Sequence, residues 1–361
     1  MKIVYIITGL GLGGAETQVC NLCDQFAKLG HDVSLVYLYG EQVASPQNKA
    51  ISVYSIGLTK SPLSLLGAFY RLVRLIRKIK PDVIHSHMVH ANLLTRLTRI
   101  FYNVPVIIST AHSTNEGGKA RMLAYRYTDK LADISSNVSQ ISVDAFIEQK
   151  ASFLDKMIMV PNGIDTTRFI IDDKKRLLMR ESLSVNINEK MIIAVGRNDP
   201  AKDYANLLSA IKLISNELLI KIFVVGLDTE LLAQQAQYLG ISEKIQFLGL
   251  RQDIPDLMMA ADIFVMSSEW EGLPIVIGEA MACECAVVTT DAGGAAQWLS
   301  NRDYVVPVKD PEELAKKLTY LIYLPKEKLI KLGQQNRQAI VNNFSLAAVT
   351  QTWLKIYNRF L

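Results

Sequence analysis

The sequence predicts an α/β protein built from two Rossmann-like domains, each with a parallel sheet. Three observations support this fold class. Short apolar runs of strand length alternate with longer segments of helical periodicity, a pattern typical of parallel sheets with helices on both faces. The pattern begins again near residue 191, after the turn-rich segment Pro161-Asn162-Gly163-Ile164-Asp165. The length of 361 residues also favours two domains.

The first domain is expected to cover residues 1–164. A glycine-rich turn follows its first strand and leads into a helix that ends near Leu29, before Gly30-His31-Asp32. Residues 345–361 are predicted to form a helix that packs back on this domain. The predicted strands of the first domain lie at 4–7, 33–39, 51–56, 83–86, 106–110, 134–138 and 156–160.

The second domain is expected to cover residues 165–344. A helix is predicted at 204–214, and another begins near Pro274, because proline is favoured at the first helical position. The predicted strands of this domain lie at 191–195, 220–225, 245–247, 263–266 and 286–289.

Composition limits the environment and the partners. The net charge is only +4, so nucleic acid is not an expected partner, and no apolar run has the length of a membrane span. The first residues read as a strand and not as a signal peptide. Four cysteines without a pairing framework fit a reducing cytoplasm. The basic residues are concentrated at one end, since residues 1–165 carry 17 Lys and Arg against 12 Asp and Glu.

The segment 267–282, SSEWEGLPIVIGEAMA, carries two carboxylates around a helix start. Glu271 lies in the turn and Glu279 lies inside the helix, about 7.5 Å along the axis from Pro274. The free N–H groups and the positive end of the helix dipole lie between them, which suits a diphosphate. Glu271 could instead be a partner of the helix dipole, and Glu279 a solvated helix residue.

This E-x7-E arrangement, with Gly-Leu-Pro after the first glutamate, resembles the retaining glycosyltransferases of family 4. The resemblance implies the GT-B fold, in which two Rossmann-like domains have parallel sheets facing across a cleft. It implies a nucleoside diphosphate sugar bound mainly by the second domain and an acceptor against the first. Neither a cofactor nor a metal is expected, and the sequence has no D-x-D motif of the metal-dependent GT-A enzymes. Donor contacts from this segment would come from Glu271, Gly272, Leu273, Pro274 and Glu279.

The glycine-rich turn allows two interpretations. Gly9, Gly11 and Gly14 fit the G-x-G-x-x-G dinucleotide fingerprint, with Glu41 as the acidic ribose partner, so an NAD-dependent dehydrogenase is an alternative. The run G-x-G-G-A-E also resembles the family 4 glycine loop. There Gly11, Gly13 and Gly14 would approach the donor and Glu16 would lie on the acceptor side. A tight turn alone would need the same glycines, and Glu16 is also a typical first-turn residue.

Two cations follow the first strand of the second domain. Arg197 and Lys202 could neutralise a leaving diphosphate, the arginine by its fork and the lysine as a point charge. They could also be solvated loop residues, but the carboxyl end of a parallel strand is where such sheets bind ligands. The G-R…P-x-K pattern is similar to the diphosphate clamp of family 4. In such proteins the loop carrying Gly249 and Leu250 meets the nucleobase, although an ordinary turn fits the sequence equally well.

Histidines cluster at strand ends of the first domain. His85 and His87 form an H-x-H on one strand, but no third ligand with metal-like spacing is evident, so zinc is not expected. The resemblance assigns a contact with the transferred sugar to His112, and His87 is an acceptor-side candidate. Cys20-x-x-Cys23 lies inside a predicted helix, and burial suits all four cysteines better than redox chemistry.

Residues 63–80 form the single membrane candidate. Leu66, Phe69, Leu72, Val73 and Ile76 make an apolar stripe, and five cations lie between Arg71 and Lys80. A crossover helix with a solvated basic face is the preferred interpretation, and weak contact with anionic lipid is the alternative.

The resemblance as a whole implies a metal-independent retaining hexosyltransferase with Glu271, Arg197, Lys202 and His112 as its catalytic residues. It would move a hexose or N-acetylhexosamine from a UDP-sugar, or from GDP-mannose, to a lipid-linked glycan. It would serve O-antigen, capsule or other surface polysaccharide synthesis in the cytoplasm, at the inner face of the bacterial inner membrane. A nucleotide-sugar epimerase on the same fold is a further alternative, as is a binding module without turnover.

Overall fold

The computed structural model describes residues 1–11, 13–59 and 61–361, and it describes Pro62 and Leu63 by their backbone alone. The chain divides into two compact units. Unit 1 contains Met1–Gly163 and Leu346–Leu361, and unit 2 contains Ile164–Ser345. The division falls within one residue of the boundaries at 164 and 345 that the sequence suggests.

Unit 1 contains a seven-stranded parallel sheet in the order β3-β2-β1-β4-β5-β6-β7. The order reverses beside β1, and such a reversal is where open α/β sheets form a ligand crevice at their carboxyl ends. The strands are β1 (Lys2–Ile7), β2 (Asp32–Tyr37), β3 (Ser52–Ser55), β4 (Val83–His87), β5 (Val106–Ala111), β6 (Ile134–Asn137) and β7 (Met157–Met159).

Helices cover both faces of the unit 1 sheet, which explains why its central strands are buried on both sides. The helix of residues Leu346–Phe360, here called the C-terminal helix, packs on this sheet. Val349, Trp353 and Tyr357 of that helix are buried in one core with Tyr5 and Phe26. The other helices are α1 (Gly14–Lys28), α2 (Pro62–Ile79), α3 (Val89–Thr98), α4 (Lys119–Thr128) and α5 (Gln140–Glu148).

Unit 2 contains a six-stranded parallel sheet in the order β10-β9-β8-β11-β12-β13. Its order reverses between β8 and β11, which pair directly. The strands are β8 (Lys190–Val195), β9 (Ile220–Val225), β10 (Ile245–Gly249), β11 (Ile263–Met266), β12 (Ala286–Thr290) and β13 (Val305–Val306). The helices are α6 (Asp173–Ser182), α7 (Tyr204–Leu213), α8 (Ala233–Leu239), α9 (Ile254–Ala260), α10 (Ile275–Ala282), α11 (Pro311–Tyr323) and α12 (Lys326–Asn343).

Several sequence expectations need correction. The short edge strand β13 was not predicted, since two residues leave no detectable pattern. Pro274 is the N-cap of α10 and the helix begins at Ile275, one residue later than predicted. Leu66 does not belong to the buried stripe of α2, because its side chain is 73% exposed, whereas Leu72 and Ile76 are buried. Among the described residues no helix is long and apolar enough to cross a membrane.

Candidate active site

The loops that follow β8 and β11 are hydrogen-bonded to each other and to the end of β12 at the carboxyl edge of the unit 2 sheet. The N–H of Glu269 donates to the carbonyl of Ala201 at 2.8 Å, and the Ser267 hydroxyl donates to the carbonyl of Lys202 at 2.9 Å. The Thr290 hydroxyl donates to the carbonyl of Ser268 at 2.6 Å. These bonds hold the two loops and the end of β12 together at the point where the strand order reverses.

Lys202 and Glu271 meet at this point. The Lys202 ammonium lies 2.6 Å from Oε1 of Glu271, and both side chains are largely buried, with exposed fractions of 19% and 15%. The Ser268 hydroxyl donates to the same oxygen at 2.9 Å. Both contacts use Oε1, so the second carboxylate oxygen of Glu271 and two ammonium hydrogens of Lys202 remain for a ligand.

Arg197 lies on the same loop but in a different environment. Its Nε is 3.1 Å from Oδ2 of Asp199, and its side chain is 64% exposed. An exposed ion pair of this kind holds a side chain weakly. Arg197 is therefore free to turn its guanidinium toward an anion, whereas Lys202 is already positioned.

The turn before α10 is held by a close backbone contact. Gly293 has φ +56°, and a Cβ on it would lie 1.9 Å from the carbonyl oxygen of Glu271. The neighbouring Gly294 N–H donates to the carbonyl of Gly272 at 2.8 Å. The glycines after β12 thus fix the Glu271–Gly272 turn. This role was not predicted, although Ala-Gly-Gly after a strand is a detectable signal. Leu273 is 6% exposed and anchors the turn beside the Pro274 cap.

Glu279 lies in the second turn of α10, an apolar helix whose other face packs in the core of unit 2. Burial raises the pKa of Glu279 from its ordinary value to about 7, and the nearby positive charge of Arg168 opposes that rise. A half-buried carboxyl poised near neutral pH can accept hydrogen bonds from hydroxyl groups of a ligand. Arg168, just after the Pro161–Asp165 turn, was not singled out from the sequence.

Gly249 is the last residue of β10, and Leu250 begins the loop that follows. Gly249 adopts φ +60°, which glycine tolerates, and its carbonyl accepts the Gly226 N–H at 2.8 Å. Leu250 is 59% exposed. A side-chain carboxylate oxygen of Glu230 lies 3.1 Å from where a Gly249 Cβ would be. The loop therefore presents backbone and an apolar side chain at the same sheet edge as Lys202.

In unit 1, the glycine turn after β1 leads into α1, although Leu12 within it lies outside the described residues. Gly13 caps α1, and the carboxylate of Glu16 folds back over it, 2.5 Å from the position of a Gly13 Cβ. Glu16 is in the first turn of α1, so the geometry matches a helix-terminus residue. Gly13 and Gly14 are exposed.

His87, the acceptor-side candidate, ends β4 and is buried. The side chain is 1% exposed, and Nδ1 of its ring lies 3.0 Å from Nε2 of His112. His112 itself is half-buried in the loop after β5. Burial lowers the pKa of His112 to about 4, and burial, with the neighbouring His85 and His112, places the pKa of His87 well below its ordinary value.

Glu116 is a site residue that the sequence did not reveal. Its Oε1 accepts the His112 N–H at 3.1 Å and the Ser113 hydroxyl at 3.2 Å. Burial raises the pKa of this carboxyl despite these hydrogen bonds. Arg121 donates to the Glu116 carbonyl at 3.1 Å. Glu116 thus orders the His112 loop, and no local pattern signals such a contact.

The remaining polar candidates give no second site. All four cysteines are free and buried, including Cys20 and Cys23 inside α1. Across 1–11, 13–59 and 61–361, no group of three or more His, Cys, Asp or Glu side chains could hold a metal ion.

Known proteins resemble this chain in sequence and in fold. Residues 12–168 match the family described as Glycosyltransferase Family 4, and residues 175–339 match the family described as glycosyl transferases group 1. The structure of HepE from Anabaena, in complex with UDP and glucose, superimposes with a TM-score of 0.88 at 20% identity. That superposition covers 99% of this chain and 100% of the HepE chain.

Two curated relatives act on diphosphoundecaprenol-linked glycans by name. The UDP-Gal:α-D-GlcNAc-diphosphoundecaprenol α-1,3-galactosyltransferase of Escherichia coli is 26% identical over 81% of this chain and 78% of its own length. A second relative is the α-1,4-N-acetyl-D-galactosaminyltransferase of Campylobacter jejuni, named for the acceptor GalNAc-α-(1→4)-GalNAc-α-(1→3)-diNAcBac-PP-undecaprenol. It is 26% identical over 99% of this chain and 98% of its own length.

The two parallel-sheet domains have the GT-B fold, and the family matches identify the chain as a glycosyltransferase. The chain belongs to glycosyltransferase family 4. The dehydrogenase alternative suggested by the G-x-G-x-x-G run is therefore wrong, and those glycines belong to a transferase loop.

Proposed function

We propose that this enzyme transfers a hexose or N-acetylhexosamine from a UDP-sugar to a lipid-linked bacterial glycan, with retention of anomeric configuration. The observation that carries the proposal is the Lys202–Glu271 contact at the strand reversal of unit 2, beside the start of α10. A cation, a carboxylate and a helix start together match the groups of a nucleoside diphosphate sugar. GDP-mannose is the second donor candidate.

Each side of the donor has a proposed partner. Lys202, Arg197 and the N–H groups at the start of α10 hold the diphosphate. Glu271 accepts hydrogen bonds from sugar hydroxyls through its second oxygen, and Glu279 accepts those of the ribose. The backbone at Gly249 and the Leu250 side chain contact the base. The unit 1 contribution comes from the Gly11–Gly14 loop and from His112, which contacts the transferred sugar.

The proposed chemistry takes place on one face of the sugar without a covalent enzyme intermediate. The acceptor oxygen forms a bond to the anomeric carbon, and the bond from that carbon to the diphosphate oxygen breaks. The acceptor proton passes to the departing phosphate oxygen. Lys202 and Arg197 stabilise the charge that grows on the diphosphate, which is the part of the reaction where fixed cations contribute most.

The acceptor is proposed to be anchored in a membrane, as the names of the relatives suggest. The exposed face of α2 supports this proposal, because it combines Leu66 and Tyr70, 73% and 66% exposed, with exposed arginines at 74 and 77. Apolar side chains among cations suit the interface of an anionic bilayer. We propose that unit 1 touches the inner face of the bacterial inner membrane through α2. The synthesis of O-antigen, capsule or another surface polysaccharide is the proposed setting.

A two-stage experiment tests the proposal. Thermal shifts with UDP-, GDP- and ADP-sugars identify the base, because a ligand that binds only the folded state raises the melting temperature. Transfer is then measured with that donor and short-chain polyprenyl-diphosphate-linked sugars, and NMR of the product reports the anomeric configuration. Retained configuration in a product formed from a UDP-sugar is expected. Inverted configuration, or binding of the donor without turnover on any such acceptor, would contradict the proposal. Conversion of the donor without acceptor would indicate an epimerase instead.

A further inference from the structure

Two imidazole rings meet where β4 and β5 end in unit 1. His87 lies opposite Thr110 in the strand register, so His112, two residues after Thr110, reaches back to it. The two ring nitrogens, Nδ1 of His87 and Nε2 of His112, are 3.0 Å apart. The His85 ring lies against the His87 ring with centroids 4.3 Å apart, and this contact fixes the plane of the His87 ring.

Only one hydrogen can lie between these nitrogens. Burial places the pKa of each histidine below its ordinary value, so both rings are neutral at pH 7 and each carries one N–H. Either His87 donates through Nδ1 or His112 donates through Nε2. The choice decides which nitrogen of His112 carries a hydrogen toward a ligand.

The other nitrogen of His87 settles the direction. Its Nε2 is buried and has no hydrogen-bond partner among the described residues. A hydrogen there would be a buried, unpaired N–H, which native proteins avoid more strictly than an unpaired acceptor. The hydrogen of His87 therefore lies on Nδ1 and is donated to Nε2 of His112. His112 must then carry its own hydrogen on Nδ1.

Nδ1 is the nitrogen of His112 that the contact with His87 does not use. His112 is half-buried, and within the described part of the chain its Nδ1 makes no hydrogen bond. The His112 main chain is also fixed, because its N–H donates to Glu116 at 3.1 Å. The His112 ring is thus held by His87 and its backbone by Glu116, and the Nδ1–H of His112 remains for a ligand.

We propose that His87 is a positioning residue for glycosyl transfer, which fixes His112 as the Nδ1–H tautomer so that His112 offers a hydrogen-bond donor to the sugar. This inference rests on the proposed function for its link to the sugar, but the tautomer is a property of the protein alone. Under this proposal His87 positions His112 and does not itself contact the glycan acceptor. It also specifies that the sugar group facing His112 is a hydrogen-bond acceptor.

The tautomer can be measured without any substrate. The chain has five histidines, so protein labelled with ¹⁵N in histidine gives a simple long-range ¹H–¹⁵N spectrum, with peaks assigned by single substitutions. At pH 7.5 the expected result is the Nδ1–H form for both His87 and His112. An Nε2–H form of His112 in the native enzyme would overturn the inference without touching the transferase assignment.

Variants of His87 connect the tautomer to catalysis. His87→Phe removes the N–H that His87 donates to His112, so we expect His112 to shift toward the Nε2–H form. The kcat should fall about tenfold or more, while the affinity for the UDP-sugar stays close to native. His87→Asn keeps an N–H near the Nδ1 position, so it should retain the His112 tautomer and recover most of the rate. Adding His87→Phe to His112→Ala should cost nothing further. An unchanged His112 tautomer in His87→Phe, or equal rates for the Phe and Asn variants, would refute the positioning role. If the native enzyme showed no glycosyl transfer at all, the proposed function would fail, and the tautomer measurement would still test the inference about His87.

Discussion

The ammonium nitrogen of Lys202 lies 2.6 Å from Oε1 of Glu271, across 69 residues of sequence. The two residues come from the loops after β8 and β11, the strands between which the sheet order of unit 2 reverses. The residue proposed to hold the diphosphate and the residue proposed to hold the sugar are therefore parts of one hydrogen-bonded unit. A substitution at either position disturbs the other.

Lys202→Ala should lower kcat by about 10²–10³, the usual effect of removing one fixed charge partner from a developing anion. Glu271→Ala should also lower kcat. The double variant should lose less than the product of the two separate effects, since residues in contact are non-additive. Steady-state kinetics of the four proteins measure the coupling. Lys316→Ala is the matched control, because Lys316 forms a similar 2.6 Å ion pair but is 71% exposed on α11. Strictly multiplicative losses would disprove the coupling.

Arg197→Ala should reduce turnover strongly, and Arg197→Lys should recover only part of it, since lysine offers a point charge without the fork. Excess EDTA should leave the native rate unchanged, because side-chain cations are proposed to neutralise the diphosphate. The rate is measured after chelation and after addition of Mg²⁺. An enzyme that stops in EDTA and recovers with Mg²⁺ would rule out the metal-independent mechanism.

Donor affinity should depend on the ionisation of Glu279, whose pKa is raised to about 7. Below that pH the carboxyl is protonated and loses the charge-assisted bonds that we propose it makes to the ribose, so Kd for a UDP-sugar should rise as the pH falls from 8 to 6. Calorimetric titration across this range measures the change. The diphosphate of a UDP-sugar does not titrate there, and Glu279→Gln should give a flat profile. An equally steep profile for Glu279→Gln would assign the dependence to another group.

Unit 1 should lose stability in acid partly through His85, which is buried between Tyr357 and Thr110 with hydrogen bonds of 2.7 Å to each. Burial lowers the pKa of His85 to about 3, below its ordinary value of 6.5. The unfolded chain therefore binds a proton that the folded chain does not, so stability is retained above pH 6.5 and falls as the pH drops toward 3. The loss approaches about 1.4 kcal/mol per pH unit for one proton.

Hydrogen exchange of unit 1 peptides at pH 7.5 and 5.0 measures that loss. His85→Gln keeps hydrogen-bonding groups but cannot titrate, so its stability should change less between the two pH values than that of the native protein. The raised pKa of Glu116 acts in the opposite direction, but it is present in both proteins and cancels. Identical pH dependence in the two proteins would contradict the assignment.

The exposed face of α2 should bind anionic vesicles. Each lysine or arginine near such a surface contributes about 1 kcal/mol, and salt screens the attraction. Co-sedimentation with anionic and neutral vesicles, at low and high salt, measures binding. Arg74→Glu with Arg77→Glu should reduce pelleting, and Lys174→Glu with Lys175→Glu, on α6 of unit 2, is the control. Equal pelleting with both lipids, or none at low salt, would exclude the membrane contact.

The alternation of strand-length segments with helices was enough to predict both sheets apart from β13, because most central strands are covered on two faces and begin with an apolar run. Strand ends were less certain: β2 stops at Tyr37, two residues before the apolar run suggests. The positions of Arg197, Lys202, Glu271 and Glu279 relative to strand and helix ends also followed from the sequence. Their mutual contacts did not, since the pairing of Lys202 with Glu271 depends on which strands become neighbours.

Contacts formed by loops were the part that the sequence could not supply. Glu116 acquires its place by accepting hydrogen bonds from His112 and Ser113, and Gly293 acquires its place by the approach of the Glu271 carbonyl. His87 was singled out from the sequence as an acceptor-side candidate, but its burial and its contact with His112 could not be predicted. The alternation of residues along β4 does not reveal which face a neighbouring loop will cover.

The return of the C-terminal helix to unit 1 has a consequence for synthesis on the ribosome. Trp353 and Tyr357 complete the core around Tyr5 and Phe26, but they are translated only after the whole of Ile164–Ser345. At about 5–20 residues per second, the first 163 residues wait roughly ten to forty seconds for that helix. Unit 2 is continuous in sequence and can finish folding first. The nascent unit 1 therefore exposes an incomplete apolar core during this interval, which makes it the part of the chain that a ribosome-associated chaperone would bind.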